Sequence, residues 1–106
     1  MIGNGDLATG AQPIRVATFD KKLTKLPIKF RHVSGMFSVS YNDLTTLEGC
    51  PEFVGISFSC SHNKLTSLKY SPKIVEGPYI CNDNSKQFTQ KEVLAVTRVE
   101  EDDVYV

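Results

Sequence analysis

The chain has little with which to do chemistry. Of its 106 residues two are histidine, His32 and His62, and three are cysteine, Cys50, Cys60 and Cys81. Three is an odd number and no CxxC pair is present, so neither a disulfide framework nor a zinc site is indicated. The thiols are expected to be reduced and to act as small hydrophobes. Neither histidine stands in a Ser-His-Asp or Cys-His arrangement, and GNG at Gly3–Gly5 is followed by no G-K-[ST], so it is not a phosphate loop. No catalytic residue, cofactor or metal is therefore expected. Net charge is zero, so no global field draws the chain to nucleic acid or acidic membranes. Its lysines Lys21, Lys22 and Lys25 lack the interleaved aromatics of a nucleic-acid-binding strip. No apolar run approaches the roughly 20 residues of a membrane span. The opening, MIGNGDLATGAQPIRV, has neither the basic nor the apolar region of a signal peptide. Residues 1–12 are expected to form a flexible leader, and the protein to be cytoplasmic.

What is present is a period of 21 residues. SYNDLTTL (Ser40–Leu47) returns as SHNKLTSL (Ser61–Leu68). Leu23, Leu44 and Leu65 align at that step, as do Leu26, Leu47 and Leu68; Val33, Val54 and Val75; Phe37, Phe58 and Tyr79, with Val16 one step before; Val39, Cys60 and Cys81; and Asn42, Asn63 and Asn84. Each unit reads V-x-x-x-[FY]-x-[VC]-x-x-N-x-L-T-x-L. The alternation in F-x-V-x-x-N predicts a short strand. The asparagine three residues on suits a turn into the interior, because its amide satisfies backbone groups that burial would otherwise leave unpaired. Asn42, Asn63 and Asn84 are thus expected to form a structural ladder.

This spacing is the leucine-rich-repeat pattern L-x-L-x-x-N-x-L. The chain resembles that superfamily, and more closely a group of small repeat proteins of tailed bacteriophages with units of the form CSxNxLTSLEGxPKxVGGxF. Cys60–Tyr79 and Val39–Phe58 fit that form, and the ending FTQKEVLAVTRVEEDDVYV is similar to the group's FTxEDV…IYV tail. The resemblance implies a fold and a phage origin, and no activity. Departures fall at the ends: Lys21 stands where asparagine is expected and Lys86 where leucine is expected, as terminal repeats that shield a stack often differ.

The expected architecture is an α/β solenoid, a short leucine-rich-repeat-like parallel array. Five strands are placed near residues 14–18, 35–40, 56–61, 77–82 and 103–106. Pro51 and Pro72 discourage helix, so the convex side should be extended or 3-10. Thr89 and Glu92 fit a capping box, which starts a helix near Gln90. Val104 and Val106 should face inward. Residues 13–106 form one repeat domain, with caps at 13–32 and 85–106 around central repeats at 33–84.

Strand alternation also names the open face. Arg15, Met36, Ser38, Ser40, Tyr41, Ser57, Ser59, Ser61, His62, Pro78, Ile80 and Asp83 are expected to line it, with Ala17 and Asn82 beside them. Its centre is small and serine-rich and its rim apolar, which suits a protein partner. A second surface is the C-terminal cap, with Tyr105 and the acidic run Glu100–Asp103. The function expected is a non-catalytic protein-binding module, a monomer. It would bind and inhibit or redirect a host or anti-phage defence protein, such as a CRISPR or restriction component. The alternatives are a virion or assembly protein joining through its end strands, and an enzyme.

Overall fold

The computed structural model describes residues 14–18, 22–27 and 29–106, with residues 14–18 described as backbone alone; the expected leader lies outside them. Seven strands form one open parallel sheet: β1 Ile14–Thr18, β2 His32–Ser38, β3 Phe53–Val54, β4 Ser57–Ser59, β5 Ile74–Val75, β6 Tyr79–Ile80 and β7 Val104–Tyr105. One α-helix, α1 Gln90–Val96, lies among the described residues. The period appears directly as strand register. Phe37 pairs with Phe58 and Phe58 with Tyr79; Val33 pairs with Val54 and Val54 with Val75. Every one of these steps is 21 residues.

The sequence predicted one strand per unit, whereas the sheet has two ladders. β2 is long enough to serve both, and the later units break into β3 and β4, then β5 and β6. The break has a steric cause. A Cβ on Gly55 would stand 2.2 Å from the Ser34 carbonyl oxygen, and one on Gly77 1.9 Å from that of Ile56. Neighbouring coils approach so closely there that only glycine fits.

The first coil departs from the period. Val16 pairs with Met36 and Ala17 with Phe37, after an irregularity between Ile14 and Val16, so the expected pairing of Val16 with Phe37 is corrected by one residue. The step of 21 is restored at Leu23. Its N–H bonds Asn42 Oδ1 as that of Leu44 bonds Asn63 Oδ1.

The inward columns are the core. Val33, Val54 and Val75, then Phe37, Phe58 and Tyr79, then Val39, Cys60 and Cys81 are buried, as are Leu44, Leu65, Leu47 and Leu68. The aromatic rings stack along the coils at 6.0 Å (Phe37–Phe58) and 5.0 Å (Phe58–Tyr79), and Phe30 closes the row 5.2 Å edge-on to Phe37. Such contacts contribute about 0.5–1.5 kcal/mol each beyond burial. Tyr79 brings a hydroxyl into this row. Ser71 Oγ donates to the Leu68 carbonyl at 2.7 Å, so the tyrosine hydroxyl donates to Ser71 Oγ, 2.6 Å away.

The helix begins where its capping box predicts. Thr89 Oγ1 accepts from the Glu92 N–H, and the Glu92 carboxylate accepts from the Thr89 N–H at 3.0 Å. Val93 and Phe88 cover the end of the core. Glu101–Asp103 forms a 3-10 turn into β7. Val104 packs on the core, but Val106 is exposed, against the expectation that both face inward. Val106 lies one residue beyond the last paired position, Tyr105 opposite Ile80. Among the described residues no helix is long and apolar enough to cross a membrane.

Candidate interaction face

The face is built by the turn that ends each strand. Tyr41, His62 and Asp83 hold φ of 60°, 56° and 56°, a left-handed conformation that costs a non-glycine residue about 1–2 kcal/mol. The next residue holds each turn in place. Asn63 Nδ2 donates to the carbonyls of Val39, Cys60 and Ser61, and Oδ1 accepts from the Leu44 N–H at 2.9 Å. Asn84 repeats this with Cys60, Cys81, Asn82 and Leu65, and Asn42 with Val39, Ser40 and Leu23. Each asparagine therefore bonds its own coil and the one before. Asn42 and Asn63 are buried and Asn84 half-buried.

Held at equivalent turns, three unlike side chains meet. The Tyr41 ring stacks on the His62 imidazole at 4.2 Å and 8°. His62 Nε2 lies 3.3 Å from Asp83 Oδ2, and Asn82 Nδ2 donates to the same oxygen at 2.8 Å. An aromatic plate, an imidazole and a carboxylate thus form one ridge along the edge of the sheet. Tyr41 is 67% exposed. Inside this ridge is the serine floor. Ser40 Oγ hydrogen-bonds Ser59 Oγ and lies 3.0 Å from Ser61 Oγ, which is 3.3 Å from Ser59 Oγ. The hydroxyls satisfy one another, so the floor is small, flat and uncharged. Ser61 is buried, although alternation aims it outward, because its neighbours close over it.

The other expected residues fall around this floor. Met36 is exposed, and Ser38, Ser57, Pro78 and Ile80 are half-buried. Arg15 lies at the irregularity in β1, and Ala17 pairs with Phe37 of the inward row rather than with an outward one. The residue that the repeat did not place is Tyr105. It pairs with Ile80 and so extends the column Ser38–Ser59–Ile80. A cleft at this end is lined by Pro78, Ile80, Asn82, Tyr105 and Val106. The open face and the C-terminal surface, kept apart in the sequence reading, are therefore continuous. The tail breaks the step of 21, so periodicity carried no signal for this pairing.

Away from the face, a groove of about 600 Å³ runs beside the turns at 48–52 and 69–73, with Lys25, Lys29, Glu48, Glu52, Tyr70 and Lys73 on its walls. Its charges are of both signs. The thiols lie elsewhere: Cys50, Cys60 and Cys81 are free and buried. Burial pushes all three above the ordinary value of 9.0, Cys81 to about 12, which makes them poor nucleophiles. Among the described residues, no three of His, Cys, Asp and Glu gather as a metal site would need. No protein-family model, curated protein or solved structure matches this chain.

Proposed function

We propose that the chain is a leucine-rich-repeat-like solenoid that works without catalysis as a protein-binding module. It is phage-encoded, acts in the host cytoplasm, and uses its open face to bind a host or defence protein and inhibit or redirect it. The solenoid reading is supported by a strand register equal to the sequence period. The phage origin is supported by the form of the repeat units and of the tail.

One observation carries the binding reading. Tyr41, His62 and Asp83 occupy equivalent turns, yet they differ in chemistry and stand together at the rim of an uncharged floor. A structural column repeats one residue type, as the asparagines do. A column that changes type at every coil presents a pattern that a partner can read. Exposed Met36, Tyr41 and Tyr105 supply the apolar and aromatic anchors typical of interface centres.

The test is affinity capture from infected and uninfected host lysate, with two variants in parallel. Tyr41→Asn removes the plate while tolerating the left-handed turn; Ser67→Ala changes an exposed residue remote from the face. A partner held by wild type and Ser67→Ala and lost by Tyr41→Asn is the expected result. Equal capture by all three would remove the open face from consideration.

A further inference from the structure

Charge alternates from coil to coil along the stack. The described part of the first coil, residues 14–18, 22–27 and 29–31, holds Arg15, Lys22, Lys25, Lys29 and Arg31 and no acid. The second, residues 33–53, has Asp43, Glu48 and Glu52 and no lysine or arginine. The third, residues 54–74, has Lys64, Lys69 and Lys73 and no acid. The fourth is balanced, and the closing turn is Glu100, Glu101, Asp102 and Asp103. The sheet register sets opposite signs side by side. Lys64 Nζ lies 3.6 Å from Asp43 Oδ1. Arg31, Glu52 and Lys73 follow one another up a single column, each joined to the next by a backbone hydrogen bond of 2.8–2.9 Å. The acidic second coil thus meets basic coils on both sides. Among the described residues the two end coils have a neighbour on one side only, so the described stack finishes basic at one end and acidic at the other.

The strand edges match this polarity. All strands are parallel. At the last edge the Tyr105 carbonyl accepts from the Cys81 N–H, and the Val104 N–H donates to the Glu101 carbonyl. The Val104 carbonyl and Val106 N–H are left on the outer side, without a partner among the described residues. At the first edge β1 pairs, among the described residues, with β2 alone. A copy translated along the stack therefore brings its β1 beside β7 in the same direction, and its basic coil against Glu100–Asp103.

We propose that this chain associates head to tail, the basic first coil of one copy docking on the acidic last coil of another. Such a contact is heterologous and does not close on itself. It is end-on and electrostatic, so the monomer dominates in dilute solution and salt weakens the contact.

Sedimentation equilibrium of the full chain tests this, from about 20 µM to about 1 mM protein in about 20 mM and about 500 mM salt. The average mass is expected to rise with concentration at low salt and to return to the 11.8 kDa monomer at high salt. A monomer under every condition overturns the proposal. Glu101→Lys with Asp102→Lys, both on an exposed turn, should weaken self-association by more than about tenfold. Its basic end is intact, so added to wild type it should terminate chains and lower the average mass. Wild-type association by this variant, or no effect on mixing, overturns the proposal. Should it fail to fold, Glu101→Gln with Asp102→Asn serves the same comparison. Tyr41→Asn should associate as wild type does; its failure to do so would move the contact to the open face and overturn the end-on arrangement.

Discussion

Two residues of one coil, four positions apart, illustrate how unequal polar residues are in a repeat. Asn63 makes four hydrogen bonds that tie together two coils, whereas Ser59 shares a hydroxyl network at the half-exposed floor. Asn63→Ala strands the buried Leu44 N–H and is expected to cost about 1–3 kcal/mol. Ser59→Ala should stay within about 0.5 kcal/mol. Urea denaturation of both variants checks this, and equal losses would reject the ladder as the source of stability. Tyr70 is a residue-scale strain of another kind. It holds φ 72° at the turn position that Gly49 fills one coil earlier with φ 98°. Tyr70→Gly should leave the melting temperature unchanged or raise it, because relief of about 1–2 kcal/mol of strain offsets the entropy that glycine loses. Tyr70→Val should lower it. The asparagines and the positions of Tyr41, His62 and Asp83 were readable from spacing. The stacking of ring on imidazole was not, because it depends on a left-handed turn that Tyr41 does not favour and on the spacing between coils.

At the scale of elements, the helix shows a signal that is wholly local. Thr89 and Glu92 lie within one turn, so the capping box could be read directly and the helix starts at Gln90. Glu92 is also held ionised by the Lys86 ammonium, whose hydrogen bond sets its carboxyl below the usual range, with the Thr89 backbone N–H assisting. The doubled ladder was not legible. Alternation announces that residues are extended, but pairing of Val33 with Val54 requires the two coils to lie side by side. The glycines at the break are the test of that approach. Gly77→Ala should cost about 1–3 kcal/mol through overpacking, seen as a lowered thermal midpoint. Retention of wild-type stability would mean that the coils are spaced more widely than described here.

For the whole molecule, three thiols and one phenol are buried in one apolar core, and this predicts an alkaline limit. Burial raises the folded values of Cys50, Cys60, Cys81 and Tyr79 above the ordinary 9.0 and 10.0. Between those values the unfolded chain releases protons that the folded chain retains. Stability is therefore full below about pH 9 and falls as pH rises, by about 1.4 kcal/mol per pH unit for each thiol. Urea midpoints at about pH 7.5 and about pH 10.5 measure the loss. Cys60→Val with Cys81→Val, which copies Val39 of the same column, should flatten the profile until Cys50 and Tyr79 dominate. An unchanged alkaline slope in that variant would place the titrating groups elsewhere.

The sequence by itself determined local conformation. A period of 21 residues, strand alternation, the asparagine three residues on and the terminal capping box are short-range patterns, and each states a local conformation or a side chain's direction. Tertiary structure alone decided what stacking brings together: two ladders in place of one, the one-residue shift of β1 against β2, Tyr105 beside Ile80, and the ridge from Tyr41 through His62 to Asp83. These depend on distances between coils, set by backbone contact at Gly55 and Gly77 and by rings about 5–6 Å apart. A repeat specifies that its copies are alike. What the surface presents comes from the positions where they differ, and those meet only after the coils have stacked.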